Sequence, residues 1–329
     1  MHVPHKLKPG DLIRIITPSN SLELISEECR QTANKNLQDL GLQLSFGKHV
    51  SECDFFRSSS VASRLDDLHE AFADPNVKGI LTVIGGYNCN QLLKHINYDL
   101  LAANPKIFCG FSDITALQNA IWAKTGMVTY SGPHYSTFGM KKGLEYTIDY
   151  FKRCFFQQES VVIGESSTWS NDEWYIDQEN RVFEPNSGLV AIQHGKTQGT
   201  IIGGNIGTLT LLKGTEFMPS LLNSILFLEE TCIAGDVTDV EFERQFQSLI
   251  HLPDFSGVRG IVIGRFEKAS KMTLEKVKQI IRTKPELAGM PVVCGADFGH
   301  TTPIFTFPVG GLASLDVTQH SIQLTITIH

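Results

Sequence analysis

The chain has 329 residues, 42% hydrophobic, 19% charged and 9% aromatic, and 28 Lys+Arg against 35 Asp+Glu leave a formal net charge of -7. That balance excludes a disordered, collagen-like or cysteine-stapled mini-protein, and the length allows one large domain or two ordinary ones. With no basic run longer than Lys141-Lys142, there is no electrostatic footprint for nucleic acid or an anionic membrane, so a small neutral or cationic molecule is the partner that charge alone suggests.

Leu12–Ile16 is the only apolar run near the N-terminus, too short for a signal-peptide core or a membrane span of ~20 residues. It reads instead as a strand. Ser26–Leu40 repeats Cys29, Ala33 and Leu37 at helical spacing, with Gly41 as a stop. A helix is predicted over Val61–Ala73, a strand over Gly79–Ile84, a helix over Asn90–His95, a strand over Lys106–Phe111 and a helix over Asp113–Lys124. This alternation predicts an α/β protein with a parallel sheet, helices on both faces and ligands at the carboxyl ends of the strands.

Between about 160 and 190 the composition turns polar and tryptophan-bearing, GESSTWSNDEWYIDQENRVFEPNSG. A loop that long in a compact protein is functional or a linker, so the domain boundary is placed there: residues 1–165, a connecting loop 166–195, and residues 196–329. Beyond it come short strands (Gly199–Ile202, Ser224–Leu228, Gly260–Ile263, Val292–Cys294), a helix at Thr273–Arg282 and an alternating strand at Ser321–Ile328. The second part reads as a smaller, strand-rich domain. The seven cysteines (Cys29, Cys53, Cys89, Cys109, Cys154, Cys232, Cys294) are scattered and never form C-x-x-C. They are expected as reduced, mostly buried thiols of a cytoplasmic protein, with neither a disulfide framework nor a zinc site.

Four strand ends carry candidate chemistry. In KIFCGFSDITALQNAIWAK a strand runs through Gly110-Phe111-Ser112-Asp113 directly into a helix. A serine at such a turn is presented above the sheet, and the following amide can bind an oxyanion. Ile114 replaces the second glycine of G-x-S-x-G, and simple N-capping by Ser112 is the other reading. Gly85-Gly86-Tyr87-Asn88 permits close backbone approach to a substrate carbonyl, or is only a tight turn; without G-x-G-x-x-G a dinucleotide site has little support. Leu228-Glu229-Glu230 and Asp297-Phe298-Gly299-His300 supply an acid and a base of the kind a serine nucleophile needs. Taken singly, His300 is more often a surface loop histidine and Glu229 a solvated acid.

Taken together with Gly203-Gly204-Asn205, Lys8-Pro9-Gly10-Asp11 and Thr17-Pro18-Ser19, these motifs resemble, in order and approximate spacing, the LD-carboxypeptidase family over nearly the whole chain. The resemblance implies a Rossmann-like N-terminal domain, a smaller β-rich C-terminal domain and a serine-type carboxypeptidase site between them. It implies Ser112 as nucleophile, His300 as general base, Glu229 as orienting acid, and the Gly86 and Asp113 amides as oxyanion hole, with no metal or organic cofactor. Within the family, murein enzymes carry R-G-G-Y-G, whereas this chain has Ile84 and then Asn88-Cys89-Asn90. That is more similar to the microcin C immunity peptidases, which cleave aminoacyl-nucleotide conjugates and carry a tryptophan loop against the purine. Trp169 and Trp174 stand in such a loop, and Tyr87, Asn88 and Asn205 complete the expected substrate contacts. A murein tetrapeptide carboxypeptidase of wall recycling is the alternative, and a non-catalytic ligand-binding protein a further one. The resemblance also implies a homodimer.

Overall fold

The computed structural model describes residues 1–329. The apolar run Leu12–Ile16 is β1, with Ile13, Ile15 and Ile16 buried. Ser26 caps α1 (Glu27–Asp39) by accepting the Cys29 amide, and Gly41 follows with φ +83°, a conformation that ends a helix and that glycine adopts without penalty. After β2 (Gln43–Phe46) come α2 (Val61–Ala73), β3 (Val77–Thr82), α3 (Tyr98–Ala103), β4 (Ile107–Gly110), α4 (Thr115–Thr125) and β5 (Thr129–Ser131).

These strands lie in the order β2-β1-β3-β4-β5 and all pair in parallel; Phe307–Val309 adds an antiparallel edge beside β5. This is a doubly wound order with its switch point between β1 and β3, so the loops leaving β1, β3 and β4 meet at one crevice. An eight-stranded mixed sheet follows, in the order Val161–Ile163, Ile322–Ile328, Leu312–Val317, Gly195–Asn205, Ser224–Glu229, Gly260–Gly264, Val292–Ala296, Val190–Gln193. Its four central strands are parallel and its edges antiparallel. Helices Thr238–Ile250 and Leu274–Arg282 cover it. No helix is long and apolar enough to cross a membrane.

The chain crosses between the sheets more than the linear reading expects. Val161–Ile163 pairs with the C-terminal strand, and Phe307–Val309 returns to the first sheet. The predicted strand Gly79–Ile84 sits two residues earlier, at Val77–Thr82, because Ile84 to Gly86 leave the sheet to wall the crevice. The helix expected over Asn90–His95 shrinks to one 3-10 turn, Cys89–Leu92; α3 starts afresh at Asn97, whose side chain accepts the Leu100 amide. Helices Glu145–Phe156 and Thr238–Ile250 were unpredicted, although Phe242, Phe246 and Leu249 have helical spacing.

Gly203-Gly204-Asn205 joins the two sheets. A Cβ on Gly204 would lie 2.4 Å from Thr115 Oγ1, so only glycine lets this strand reach α4. Asn119 Nδ2 then donates to the Gly203 carbonyl at 2.9 Å, and the Asn205 amide donates to Thr115 Oγ1 at 3.0 Å. One buried apolar cluster runs through both layers from Ile16 and Phe108 to Leu228 and Ile263.

Candidate active site

Ser112 leaves β4 with φ +63°, left-handed for a residue bearing a Cβ. Such strain persists only where surrounding structure holds it, as at a nucleophile elbow. N-capping is not its role: neither the 3-10 turn Ser112–Ile114 nor α4 has a side-chain cap. Instead Ser112 Oγ lies 3.0 Å from His300 Nε2, and His300 Nδ1 lies 2.7 Å from Glu229 Oε2. With Nδ1–H donating to Glu229, Nε2 is a bare acceptor for the serine proton. The two adjacent acids separate cleanly, since Glu230 turns away to Asn205 Nδ2 at 2.8 Å and to the Thr231 and Gly207 amides. Gly299, with φ +106°, makes room for Glu229: a Cβ there would fall 2.8 Å from Glu229 Oε2.

Burial opposes the charged form of His300, but Glu229, by charge and hydrogen bond, together with Glu267 and Glu230, outweighs it and holds the imidazole above the ordinary histidine value. His134, behind it, shows burial acting without such help. Its pKa is pushed down to about 3 by burial and by His300, while Nδ1 bonds Thr82 Oγ1 at 2.8 Å. The Phe111 ring lies between the two histidines, with centroids 4.3 Å from His134 and 5.3 Å from His300.

The Gly85-Gly86 loop packs on the elbow so closely that a Cβ on Gly85 would sit 3.0 Å from that of Ser112 and 3.6 Å from the Asp113 amide nitrogen. The loop is fastened there by the Asp113 side chain. Asp113 Oδ2 accepts Ser19 Oγ at 2.6 Å and the Asn88 and Cys89 amides at 2.9 Å, while Cys89 Sγ donates to the Asp113 carbonyl at 2.7 Å. Gly86 makes no backbone hydrogen bond with its own amide. Sequence reasoning used Asp113 only for its amide. Its carboxylate is the lock between β1, β3 and β4, and no local pattern signals that.

Ser112, Gly86 and Tyr87 line both an open cleft of about 530 Å³ and a second chamber of about 350 Å³. Trp174 and Tyr175 wall the cleft, and Tyr87 is 71% exposed at its mouth. The tryptophan loop is held over His300 by mutual backbone bonds between Ser170 and Thr302, by the Asp172–Arg181 pair at 2.8 Å and by Gln178 on the Gly139 carbonyl.

Two expected substrate contacts lie away from the cleft wall. Trp169 lies off the cleft, its ring covered by the Arg265 guanidinium at 5.0 Å, and Arg265 pairs with buried Asp297 at 2.9 Å. Asn88 is also absent from the cleft wall: its carbonyl and Oδ1 both accept from buried Arg64 at 3.1 Å. Arg64 was missed, though a charge in register with Leu68 and Phe72 on the buried face of α2 is a sequence signal. Asn205 lines the second chamber, but its amide is committed to Glu230 and to capping Thr208. All seven cysteines are free thiols; Cys53 is exposed, Cys232 half-buried and the others buried. No group of three or more His, Cys, Asp or Glu side chains is placed to hold a metal ion.

A serine on a strained strand-to-helix turn, bonded to a carboxylate-backed histidine above a cleft, is the arrangement of a serine hydrolase. The chain belongs to the LD-carboxypeptidase family: residues 13–132 match the model of its N-terminal domain and residues 198–315 that of its C-terminal domain. It is therefore a serine-type carboxypeptidase, a hydrolase of peptide or amide bonds. It is 50% identical to the Bacillus subtilis protein YocD, covering 98% of this chain and 99% of that one. It is 33% identical to the microcin C7 self-immunity protein MccF of Escherichia coli (97% and 94% covered) and 25% identical to the murein tetrapeptide carboxypeptidase of Pseudomonas aeruginosa (92% of each). The crystal structure of an MccF-like protein from Bacillus anthracis superposes with TM-score 0.99 at 53% identity, each chain covered fully. MccF in complex with glutamyl sulfamoyl guanosine superposes with TM-score 0.86 at 29% identity, covering 99% and 98%.

Proposed function

We propose that this carboxypeptidase acts through Ser112, His300 and Glu229 on an amide joining an aminoacyl group to a nucleotide-like leaving part. His300 Nε2 takes the Ser112 proton as Oγ bonds to the carbonyl carbon, and the Gly86 and Asp113 amides receive the oxyanion. The carbon–nitrogen bond then breaks, and His300 returns the proton to the leaving amine. Water, deprotonated in turn by His300, releases the acyl group from Ser112. Glu229 accepts the hydrogen bond from Nδ1–H throughout, which fixes the tautomer, and its charge stabilises the imidazolium.

The observation that carries the nucleophile is the unbroken chain Ser112 Oγ, His300, Glu229 at 3.0 and 2.7 Å. The substrate reading is supported by Trp174 on the cleft wall, a flat apolar face for a base, by Ile84 on that wall where murein enzymes carry arginine, and by the sulfamoyl nucleoside bound to the related MccF. Competition between a D-alanine-terminated muropeptide and an aminoacyl-nucleotide conjugate tests it. Cleavage of the muropeptide alone assigns the enzyme to murein turnover. A cytoplasmic location and a homodimer belong to the same reading, and sedimentation of the purified protein tests the dimer.

A further inference from the structure

The cleft has a second pair of polar groups that the hydrolytic scheme leaves unused. Asn20, just beyond β1, bonds the Gly85 carbonyl through its own amide at 3.2 Å, and its Oδ1 lies 2.7 Å from where a Cβ on Gly86 would stand. The next residue, Ser21, donates its amide to the Arg57 carbonyl at 2.8 Å, so Asn20 and Arg57 rise from adjoining backbone, and both line the cleft. Arg57 has φ +62°, an unfavourable conformation for any residue with a Cβ. It is imposed by Asp54, whose Oδ1 accepts the Phe56 and Ser58 amides and whose carbonyl accepts that of Arg57.

The neighbouring arginines are engaged inside the protein: Arg64 on Asn88, Arg181 on Asp172, Arg265 on Asp297. Arg57 is the sole lysine or arginine on the cleft wall. The one carboxylate there, Glu267, is tied through Oε2 to Thr231 Oγ1 and the Cys232 amide. The strained loop therefore presents a guanidinium to the cleft that also receives the Asn20 carboxamide, the latter beside Gly86.

We propose that Asn20 and Arg57 form an anion subsite that holds a negative group on the leaving part of the substrate, within two bonds of the leaving nitrogen; this rests on Ser112 being the nucleophile. A terminal carboxylate and a phosphoryl or sulfamoyl group both present that chemistry, and a guanidinium bonds either in bidentate fashion. The subsite would make the enzyme demand a charged leaving part.

Calorimetric titration of the full-length protein with adenosine monophosphate and with adenosine tests the phosphoryl arm. Turnover of an acyl-D-alanine against the matching acyl-D-alaninamide tests the carboxylate arm. Wild type is expected to favour the charged member of at least one pair by roughly 10- to 100-fold, the scale of a charge-assisted bond, and Arg57→Gln to erase that preference. Asn20→Ala should reduce it, and Arg57→Lys should restore part of it. Retained adenosine binding shows that a variant has folded. Absence of any preference in wild type, or its persistence in Arg57→Gln, overturns the proposal. Ser112 is tested separately, by wild-type labelling with a neutral fluorophosphonate that Ser112→Ala abolishes, so failure of the subsite and failure of the nucleophile are distinguishable.

Discussion

Glu229 and Glu230 are neighbours at one strand end but serve different partners: Glu229 Oε2 is 2.7 Å from His300 Nδ1, whereas Glu230 Oε1 is 2.8 Å from Asn205 Nδ2. Glu229→Gln should therefore lower kcat by about 10²- to 10⁴-fold, as the imidazolium loses its counter-charge and its tautomer. Glu230→Gln, which keeps the shape of a buried hydrogen-bonded group, should cost less than about tenfold. Steady-state kinetics on one amide substrate compares them, and equal losses would contradict the division of labour.

The pH profile provides a second check. His300 must be neutral to accept the serine proton, so kcat/KM should rise with pH through a midpoint above the ordinary histidine value of ~6.5. Glu229 is the chief group raising it against burial. In Glu229→Gln the midpoint should move down, because burial then dominates. An unmoved acid limb would mean that another group titrates.

Asp113→Asn should slow chemistry with little change in KM. The carboxylate gathers three donors from the β1 and β3 loops, and an amide oxygen is a weaker acceptor for them, so the Gly86 amide loses its fixed position. A loss of roughly 10- to 1,000-fold in kcat is expected, no more than that of removing an oxyanion donor. An effect confined to KM would assign Asp113 to binding instead.

Trp174→Ala should raise KM for a nucleotide-linked substrate by about 10- to 100-fold, the range of a base–indole stack. Trp169→Ala should leave KM nearly alone, since its ring lies under the Arg265 guanidinium and not on the cleft wall. The reverse pattern would show that the loop rearranges when ligand binds.

Buried His134 couples stability to acid. Its folded pKa of about 3 lies below its unfolded value, so the stability from keeping it neutral is complete above pH ~6.5 and falls as pH drops toward 3, by at most about 1.4 kcal/mol per pH unit. Denaturant melts at pH 7 and pH 4.5 should show wild type losing more than His134→Leu. A parallel loss in both would remove His134 from the account.

Local pattern was enough for much of the framework. β1, α2 and the capped α1 follow from apolar spacing, Ser26 and Gly41, because propensity and caps act within a few residues. The motif order likewise singled out Ser112, Glu229 and His300. What no local reading could supply is convergence. Ser112 and His300 are 188 residues apart in the chain and meet only because Gly203 and Gly204 let the second sheet press against α4. Tertiary packing also separates equivalent residues: Glu229 and not Glu230 meets His300, Trp174 and not Trp169 lines the cleft, and Arg57 lines it while Arg64 bonds Asn88. Residue type and spacing set which groups are available, whereas hydrogen-bond partners and burial, which depend on distant segments, set which of them face the cleft.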